Sequence, residues 1–282
     1  MESQAANANR YAVVGNPVSH SLSPQIHHAF ARQTNLSIDY SAIKLALDNF
    51  NLELRDLQKL GLKGVNVTIP FKRQAWEICD HLSPRADDAG AVNTLVFRED
   101  GDIAGDNTDG VGFTRDLLDN HHALIKHRAI LILGAGGAVR GLLAPLLSLQ
   151  PDSLTIVNRT LKNAEILADD FRDSGDIKVC SYNELGRDKF DLIINATAAS
   201  LDNEAPPIPE NILGINSICY DMMYNIDSPT AFVSWAQRCG ASRALDGLGM
   251  LVEQAAESFF IWHGVRVKTA EIIAGLRTHQ EN

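Results

Sequence analysis

The sequence predicts an α/β fold with two domains, from three observations: the length of the chain, its alternating strand and helix patterns, and one glycine-rich turn. A chain of 282 residues can bury a large core and exceeds the usual size of a single domain. The aliphatic run from Ile130 to Leu133 is typical of a strand buried on both faces. Gly134, Gly136 and Gly137 follow this run and precede a helix with apolar residues on one face. Strand, glycine turn and helix in this order begin a dinucleotide-binding βαβ unit.

The glycine turn suits a pyrophosphate, because backbone N–H groups can approach a ligand closely where no side chain intervenes. The N-terminus of the following helix adds partial positive charge at the same point. The sixth position of the fingerprint is Val139 instead of Gly or Ala, so a glycine turn without a ligand is the alternative.

The residues after the second strand of this unit distinguish between the two nicotinamide dinucleotides. Leu154 to Val157 predict the strand, and Asn158, Arg159 and Thr160 follow it. NAD-binding domains usually place a carboxylate here to bind the ribose 2′-hydroxyl. A guanidinium could instead pair with a 2′-phosphate and stack on adenine, and a hydroxyl could donate a hydrogen bond. The sequence therefore predicts NADP, with an exposed loop arginine as the alternative.

Two serines near the N-terminus are candidates for binding a carboxylate. Ser23 precedes Pro24, which predicts a helix that runs from there to about Thr34. Ser21 lies two residues earlier, so two hydroxyls stand beside one helix N-terminus. For Ser23 the alternative is a purely structural helix cap.

A lysine and an aspartate in the first half of the chain are candidates for catalysis. Pro70 opens a predicted helix whose first turn holds Lys72, where a cation opposes the helix dipole. Two interpretations remain: Lys72 is placed where a function needs its charge, or it is a surface lysine whose long side chain carries the charge into solvent. Asp109 is placed to cap a helix predicted over 113–118. Capping and catalysis are compatible, because a capped carboxylate stays ionised.

Composition excludes several classes of partner. The net charge of −10 argues against nucleic acid and anionic membranes. No apolar run approaches the roughly 18 residues that a membrane span needs, and the first residues do not resemble a secretory signal. The four cysteines are widely spaced, which favours free thiols in a reducing cytoplasm over a disulfide framework or a metal site.

Eight motifs in order resemble the shikimate dehydrogenase family, over a stretch from Tyr11 to Leu276. The motifs are SLSP (Ser21 to Pro24), NVTIPFK (Asn66 to Lys72), AVNT (Ala91 to Thr94), GDNTDG (Gly105 to Gly110), GAGGAVR (Gly134 to Arg140), NRT (Asn158 to Thr160), DMMY (Asp221 to Tyr224) and DGLGMLVEQA (Asp246 to Ala255). Agreement of all eight by chance is negligible.

The resemblance implies a fold and an activity. An N-terminal α/β substrate domain would cover residues 10–109 and be completed by residues 246–282, whose helices pack back on it. A Rossmann-type NADP-binding domain would cover residues 110–245. The activity would be the reversible, NADP-dependent reduction of 3-dehydroshikimate to shikimate in aromatic amino-acid biosynthesis. The protein would act on this small molecule in the cytoplasm, as a monomer or homodimer.

The resemblance also implies roles for individual residues. Lys72 and Asp109 would form the catalytic pair. Ser21 and Ser23 would hold the substrate carboxylate. The remaining substrate contacts would be Thr68, Asn93, Tyr224 and Gln254. The pyrophosphate would lie at Gly134, Gly136, Gly137 and Arg140, and the 2′-phosphate at Asn158, Arg159 and Thr160.

Two segments depart from the family pattern. A basic residue often stands three positions after the NRT threonine, but here that position is Asn163, preceded by Lys162. The family often has Ser-Ser-Gly after Asn-Ala-Thr, but here Ala198, Ala199 and Ser200 follow. Both changes concern the affinity for the cofactor. A quinate/shikimate dehydrogenase with relaxed cofactor use and a non-catalytic NADP-binding homologue are the alternatives.

Overall fold

The computed structural model describes residues 8–186, 188–197, 199 and 204–278. The chain divides into two compact units. The first contains Met1–Gly112 and Val252–Ile272, and the second contains Phe113–Leu251 and Ile273–Asn282. Within the described residues, each unit is built on a sheet of six strands. The α/β architecture with two domains is therefore confirmed.

The first unit is built around a mixed sheet. Its elements are β1 (Asn9–Gly15), α1 (Ser23–Thr34), β2 (Ile38–Lys44), α2 (Phe50–Lys59), β3 (Leu62–Val67), α3 (Lys72–Ile78), β4 (His81–Leu82), α4 (Pro84–Ala89), β5 (Thr94–Phe97) and β6 (Ile103–Asp106). The strand order is β2-β1-β3-β5-β6-β4. Strands β1, β2 and β3 are parallel, whereas β5 runs antiparallel to both of its neighbours. Helix α5 (Asp109–Arg115) follows this sheet.

A C-terminal helix completes the first unit. This helix, α9 (Leu248–His263), contributes its residues from Val252 onward. The indole of Trp262 donates a hydrogen bond of 3.0 Å to the Leu95 carbonyl of β5. The same ring stacks on Tyr11 of β1 with 4.6 Å between ring centroids. A C-terminal segment therefore packs back on the N-terminal sheet, as predicted.

The second unit has the strand order and direction of a Rossmann fold. Its elements are β7 (Ala129–Leu133), α6 (Gly137–Ser148), β8 (Ser153–Val157), α7 (Leu161–Asp170), β9 (Ile177–Cys180), β10 (Phe190–Asn195), β11 (Leu213–Asp221), α8 (Ala231–Arg238) and β12 (Arg243–Leu245). The strand order is β9-β8-β7-β10-β11-β12, and the paired strands are parallel. The order reverses between β7 and β10, and ligands of such sheets bind at this reversal. Helix α10 (Ala270–Thr278) closes the described chain.

The apolar patterns that predicted the central elements correspond to buried cores. Ile130 and Leu133 of β7 and Val139 of α6 are fully buried in the second unit. In the first unit Phe50 and Phe71 stack with ring centroids 4.8 Å apart. Full burial of such side chains stabilises a fold by about 1.5–3 kcal/mol each. No helix in the described ranges is long and apolar enough to cross a membrane.

One helix differs from its prediction. The pattern predicted a helix over 113–118, but α5 begins at Asp109, and Asp116–Asn120 forms a π-helical turn. The His121 N–H closes this turn on the Asp116 carbonyl. The difference arises from a tertiary contact at the beginning of this turn. The buried carboxylate of Asp116 accepts a hydrogen bond of 2.7 Å from the Tyr220 hydroxyl of β11.

Candidate active site

Lys72 and Asp109 form an ion pair in the first unit. Lys72 is the first residue of α3, and its Nζ lies 2.6 Å from Oδ2 of Asp109. The Asp109 side chain is 6% exposed and that of Lys72 is 30% exposed. A charge-assisted hydrogen bond of this length is a strong one. The lysine therefore has a fixed direction and an end that solvent or a ligand can reach.

A buried asparagine holds the other oxygen of this carboxylate. Nδ2 of Asn93 donates to Oδ1 of Asp109 at 2.9 Å and to Oε1 of Gln254 at 3.0 Å. The backbone N–H of Thr108 donates to Oδ1 of Asn93 at 2.9 Å, which fixes which way the amide faces. Asn107 accepts the backbone N–H of Asp109 at 3.1 Å. Four of the predicted site residues are thus joined directly by hydrogen bonds.

Thr108 and Asn107 are buried contributors that the sequence analysis did not single out. Both lie within the GDNTDG motif, between a strand and a helix. The signal was their position in this motif, where polar residues of a loop adjoin a candidate catalytic carboxylate.

The two serines lie together at the beginning of α1. The helix begins at Ser23 after Leu22, so Ser23 is its first residue and the interpretation as a cap is wrong. The local hydrogen bond is made by Ser21 instead, whose Oγ accepts the backbone N–H of Ser23 at 3.2 Å. The Ser21 hydroxyl also donates to the Ser23 hydroxyl at 3.1 Å. Since Ser21 is half-buried and Ser23 is buried, Ser21 is the more accessible of the pair.

Thr68 is positioned by a close approach of two strands. It follows β3, and its backbone N–H bonds the Val14 carbonyl of β1 at 2.9 Å. Its methyl group lies against Gly15, where an added Cβ would be 2.4 Å from it. Any other residue at position 15 would therefore displace Thr68.

In the second unit the glycine turn leaves room for a ligand. Gly134 has φ of +106°, and a Cβ there would approach the Ala196 carbonyl to 3.2 Å. Gly136 and Gly137 are exposed, and a Cβ on either would have no heavy atom of the described residues within 4 Å. Helix α6 begins at Gly137. An anionic group could therefore approach the backbone N–H groups of this turn at the sheet's reversal point.

Arg140 makes an unexpected contact. Its Nη2 lies 2.5 Å from Oδ2 of Asp170, the last residue of α7, and its guanidinium lies 5.8 Å from the ring centroid of Phe171. The guanidinium thus joins α6 to α7, and a pyrophosphate would either share it with Asp170 or draw it away from that carboxylate.

The predicted 2′-phosphate residues lie together after β8. Nδ2 of Asn158 donates to the Thr160 carbonyl at 2.8 Å, and Arg159 and Thr160 are exposed. Burial raises the pKa of Tyr182, and the positive charge of Arg159 opposes this rise. Lys162 is exposed in the first turn of α7. Positions 158–163 therefore contain two cationic side chains, Arg159 and Lys162, and no carboxylate.

Tyr224 belongs to the second unit and follows a buried hydrogen-bond centre. Oδ1 of Asp221 accepts from Asn195 and from the Met223 N–H, each at 3.1 Å. Its Oδ2 accepts from the Thr230 hydroxyl at 2.6 Å. Tyr224 is half-buried, and burial raises the pKa of its hydroxyl. Ala198 and Ser200, which depart from the family pattern, lie outside the described residues.

The fold and the site define an α/β protein with a Rossmann-type dinucleotide-binding unit. Family models match three segments of the chain. They are the shikimate dehydrogenase substrate-binding domain at residues 13–95, shikimate/quinate 5-dehydrogenase at 116–202 and the shikimate 5′-dehydrogenase C-terminal domain at 247–276.

Whole-chain comparisons agree with these matches. An NADP(+) shikimate dehydrogenase of Alkalilimnicola ehrlichii is 50% identical over 269 residues, covering 95% of this chain and 98% of that protein. An Ael1 enzyme from Pseudomonas putida superposes with a TM-score of 0.90 at 41% identity, covering 95% and 98% of the two chains. A Thermus thermophilus shikimate 5-dehydrogenase solved with NADP(H) and shikimate superposes with a TM-score of 0.84 at 30% identity, covering 96% and 99%. The chain belongs to the shikimate dehydrogenase family.

Proposed function

We propose that this protein catalyses the reversible, NADP-dependent interconversion of 3-dehydroshikimate and shikimate. The observation that carries the proposal is the Lys72–Asp109 pair, in which a partly exposed ammonium is held 2.6 Å from a buried carboxylate. This arrangement suits a reaction in which negative charge develops on one oxygen.

The residues of the second unit fit NADP. The open space beside Gly136 and Gly137 would admit a pyrophosphate, and the exposed Arg159 would supply the charge that a 2′-phosphate requires. NADPH, when bound, supplies the hydride. Thr160 would add a hydroxyl to the phosphate site, and the exposed Lys162 would take the place of the basic residue missing at Asn163.

In the first unit, the ammonium of Lys72 would stabilise the charge on the substrate oxygen and supply the proton to it. Asp109 would hold Nζ in place and accept a hydrogen bond from the substrate hydroxyl. Asn93 and Gln254 are joined at 3.0 Å and would contact the ring hydroxyls, and Thr68 would be a further substrate contact. The Ser21 and Ser23 hydroxyls would bind the substrate carboxylate, and Tyr224 would be a further substrate contact.

Steady-state assays with shikimate and quinate, each with NADP and NAD, test the proposal. We expect the highest kcat/KM for shikimate with NADP, because both serines and the NRT motif are present. A preference for quinate, or equal use of NAD, would favour the quinate/shikimate dehydrogenase alternative. Absence of turnover with every combination would favour a non-catalytic homologue and refute the proposal.

The proposal also covers the cellular location, the oligomeric state and the absence of nucleic-acid binding. We propose that the protein is cytoplasmic, that it is a monomer or homodimer, and that it binds no nucleic acid. The net charge of −10 argues against nucleic acid, and the wide spacing of the four cysteines favours free thiols in a reducing cytoplasm. Light scattering of the purified protein would give its oligomeric state.

A further inference from the structure

Arg85 of the first unit has no place in the proposed site, yet its guanidinium contacts two carboxylates at once. It is the second residue of α4, where a cation opposes the partial positive charge of the helix N-terminus. Its Nε and Nη2 donate to the two oxygens of Asp106 at 2.6 and 2.9 Å. Its Nη1 and Nη2 also donate to Oε1 of Glu257 on α9, each at 3.3 Å. Tertiary contacts therefore explain the arginine at this position, and α4 itself does not.

The charges of this cluster are largely removed from solvent. The side chains of Asp106 and Glu257 are 17% and 7% exposed, and that of Arg85 is 33% exposed. The second oxygen of Glu257 pairs with Arg266. Desolvation offsets much of the attraction between buried charges, so stability alone is a weak reason for such a cluster. A bidentate pair also fixes the distance and direction between its partners, which is a stronger reason.

Asp106 is the last residue of β6, and it holds both segments that orient the proposed catalytic carboxylate. Its Oδ1 accepts the Asn107 backbone N–H at 2.7 Å, and its carbonyl accepts the Asn93 backbone N–H at 3.0 Å. The Asn107 side chain accepts the backbone N–H of Asp109 at 3.1 Å. The Asn93 side chain donates to the Asp109 carboxylate at 2.9 Å. A displacement of Asp106 would therefore reach Asp109 by two routes.

Glu257 connects the same guanidinium to a second predicted substrate contact. It lies three residues after Gln254 on α9, so the two side chains are on the same side of this helix. Gln254 in turn accepts a hydrogen bond of 3.0 Å from Nδ2 of Asn93. Arg85 therefore joins α9 to the end of β6, although 172 residues separate it from Glu257.

We propose that Arg85 is a positioning residue, which fixes Gln254 relative to Asp109 through its contacts with Glu257 and Asp106. This inference rests on the proposed function, in which Gln254 contacts a ring hydroxyl and Asp109 holds the catalytic ammonium. A rigid ring with hydroxyls at fixed positions is bound in one orientation only if these two side chains keep a constant separation. The planar fork of a guanidinium can hold two carboxylates in fixed directions, whereas an ammonium acts as a point charge.

The test compares Arg85→Lys with a matched control. Arg85→Lys retains the positive charge and removes the fork. Arg55 is an arginine of similar exposure, 37%, which joins α2 to Asp80 and to the Gly101 carbonyl. We expect Arg85→Lys to lower kcat/KM for shikimate about 10-fold to 100-fold, the scale of a small misplacement of catalytic groups, with less than about a twofold change in the Kd for NADP. Arg55→Lys should leave both quantities unchanged.

A double-mutant cycle gives a measurement that a merely structural role would not affect. Glu257→Ala detaches α9 from Arg85 and leaves the contacts of Arg85 with Asp106. We expect it to raise the KM for shikimate about threefold to tenfold, the scale of the one hydrogen bond that Gln254 would lose. In a Gln254→Ala background, Glu257→Ala should raise this KM by less than about twofold, because the positioned contact is already lost. Equal effects in both backgrounds would overturn the proposal.

Two further outcomes separate the possible failures. A lower melting temperature of Arg85→Lys with an unchanged kcat/KM for shikimate would refute the proposal. If Arg85→Lys does not fold, an unchanged KM for shikimate in Glu257→Ala would refute it as well. Turnover of shikimate with NADP by the unmodified protein is measured first. Missing turnover refutes the proposed function together with this inference, whereas normal turnover with no effect of the variants refutes only the role of Arg85.

Discussion

Replacing Asp170 by asparagine tests whether Arg140 binds the cofactor or only joins two helices. The side chains of Arg140 and Asp170 are 29% and 39% exposed, and an ion pair with this exposure contributes about 0.2–1 kcal/mol. If a pyrophosphate must draw the guanidinium away from Asp170, this amount is subtracted from the free energy of NADP binding. Asp170→Asn should then lower the Kd for NADP by about 1.5-fold to fivefold.

Removal of the guanidinium instead of the carboxylate should change the Kd for NADP by more and in the opposite direction. Arg140→Ala would remove a charge-assisted hydrogen bond of about 1.5–3 kcal/mol and would spare the cost of breaking the ion pair. The expected net loss is about 0.5–2.8 kcal/mol, which raises the Kd for NADP about twofold to 100-fold. Calorimetric titration of each variant with NADP measures both effects.

Asp169→Asn is the matched control for Asp170→Asn. It removes the same charge one residue earlier, where Asp169 pairs with Arg172 at the surface. We expect no change in the Kd for NADP. An unchanged Kd in Arg140→Ala would exclude Arg140 from the pyrophosphate site, and weaker binding in Asp170→Asn would show that the ion pair supports the site instead of competing with the cofactor.

The other predictions concern the proposed catalytic lysine, the proposed phosphate site, one packed glycine and one buried histidine. Lys72→Ala should lower kcat by about 10²- to 10⁴-fold with a smaller effect on KM, and a kcat near that of the unmodified protein would exclude its proposed role. Arg159→Ala should weaken NADPH binding by about 1.5–3 kcal/mol, and an unchanged Kd would exclude it from the phosphate site. Gly249→Ala should destabilise the fold by about 1–3 kcal/mol, because a Cβ there would lie 1.9 Å from the buried Asp116 carboxylate. Gly275→Ala in α10 is the control and should not destabilise the fold, because a Cβ there would have no described heavy atom within 4 Å. Equal melting temperatures of the two variants would contradict this prediction. Burial lowers the pKa of His27 from 6.5 to about 3, so the unfolded state binds more protons than the folded state between these pH values. The free energy of unfolding should therefore fall by up to about 1.4 kcal/mol per pH unit as the pH decreases below 6.5. Urea titrations of His27→Phe should show a shallower decrease.

The elements that the sequence predicted well are those whose signals are local. The β7 strand, the glycine turn and α6 follow one another within twenty residues, and each has its own pattern of apolar residues or glycines. Lys72 was placed in the first turn of a helix by Pro70 alone, and the structure begins α3 at that lysine. In such cases the chain neighbours of a residue determine its backbone conformation.

The features that were not predicted depend on contacts between distant residues. The π-helical turn at Asp116 forms where its carboxylate meets Tyr220, 104 residues away. The partner of Arg140 lies 30 residues away, and the contact of Asn66 with Ser258 spans 192 residues. No local pattern encodes such pairs, because each side chain would be equally acceptable in its own element with another partner. The sequence therefore identified candidate residues but not the groups that orient them.

The carboxylate of Asp109 shows why these orienting groups matter for the chemistry. Asn93 holds one of its oxygens with an amide, and a cation at that position would have neutralised the carboxylate. The second oxygen of Asp109 is therefore left for Lys72, whose Nζ it holds at 2.6 Å. The amide is itself fixed by the Thr108 N–H, and the lysine is fixed by the carboxylate. In the proposed mechanism, little reorganisation would therefore be needed as charge develops on the substrate oxygen. A neutral amide behind the ion pair thus orients the carboxylate without competing with Lys72 as a second cation would.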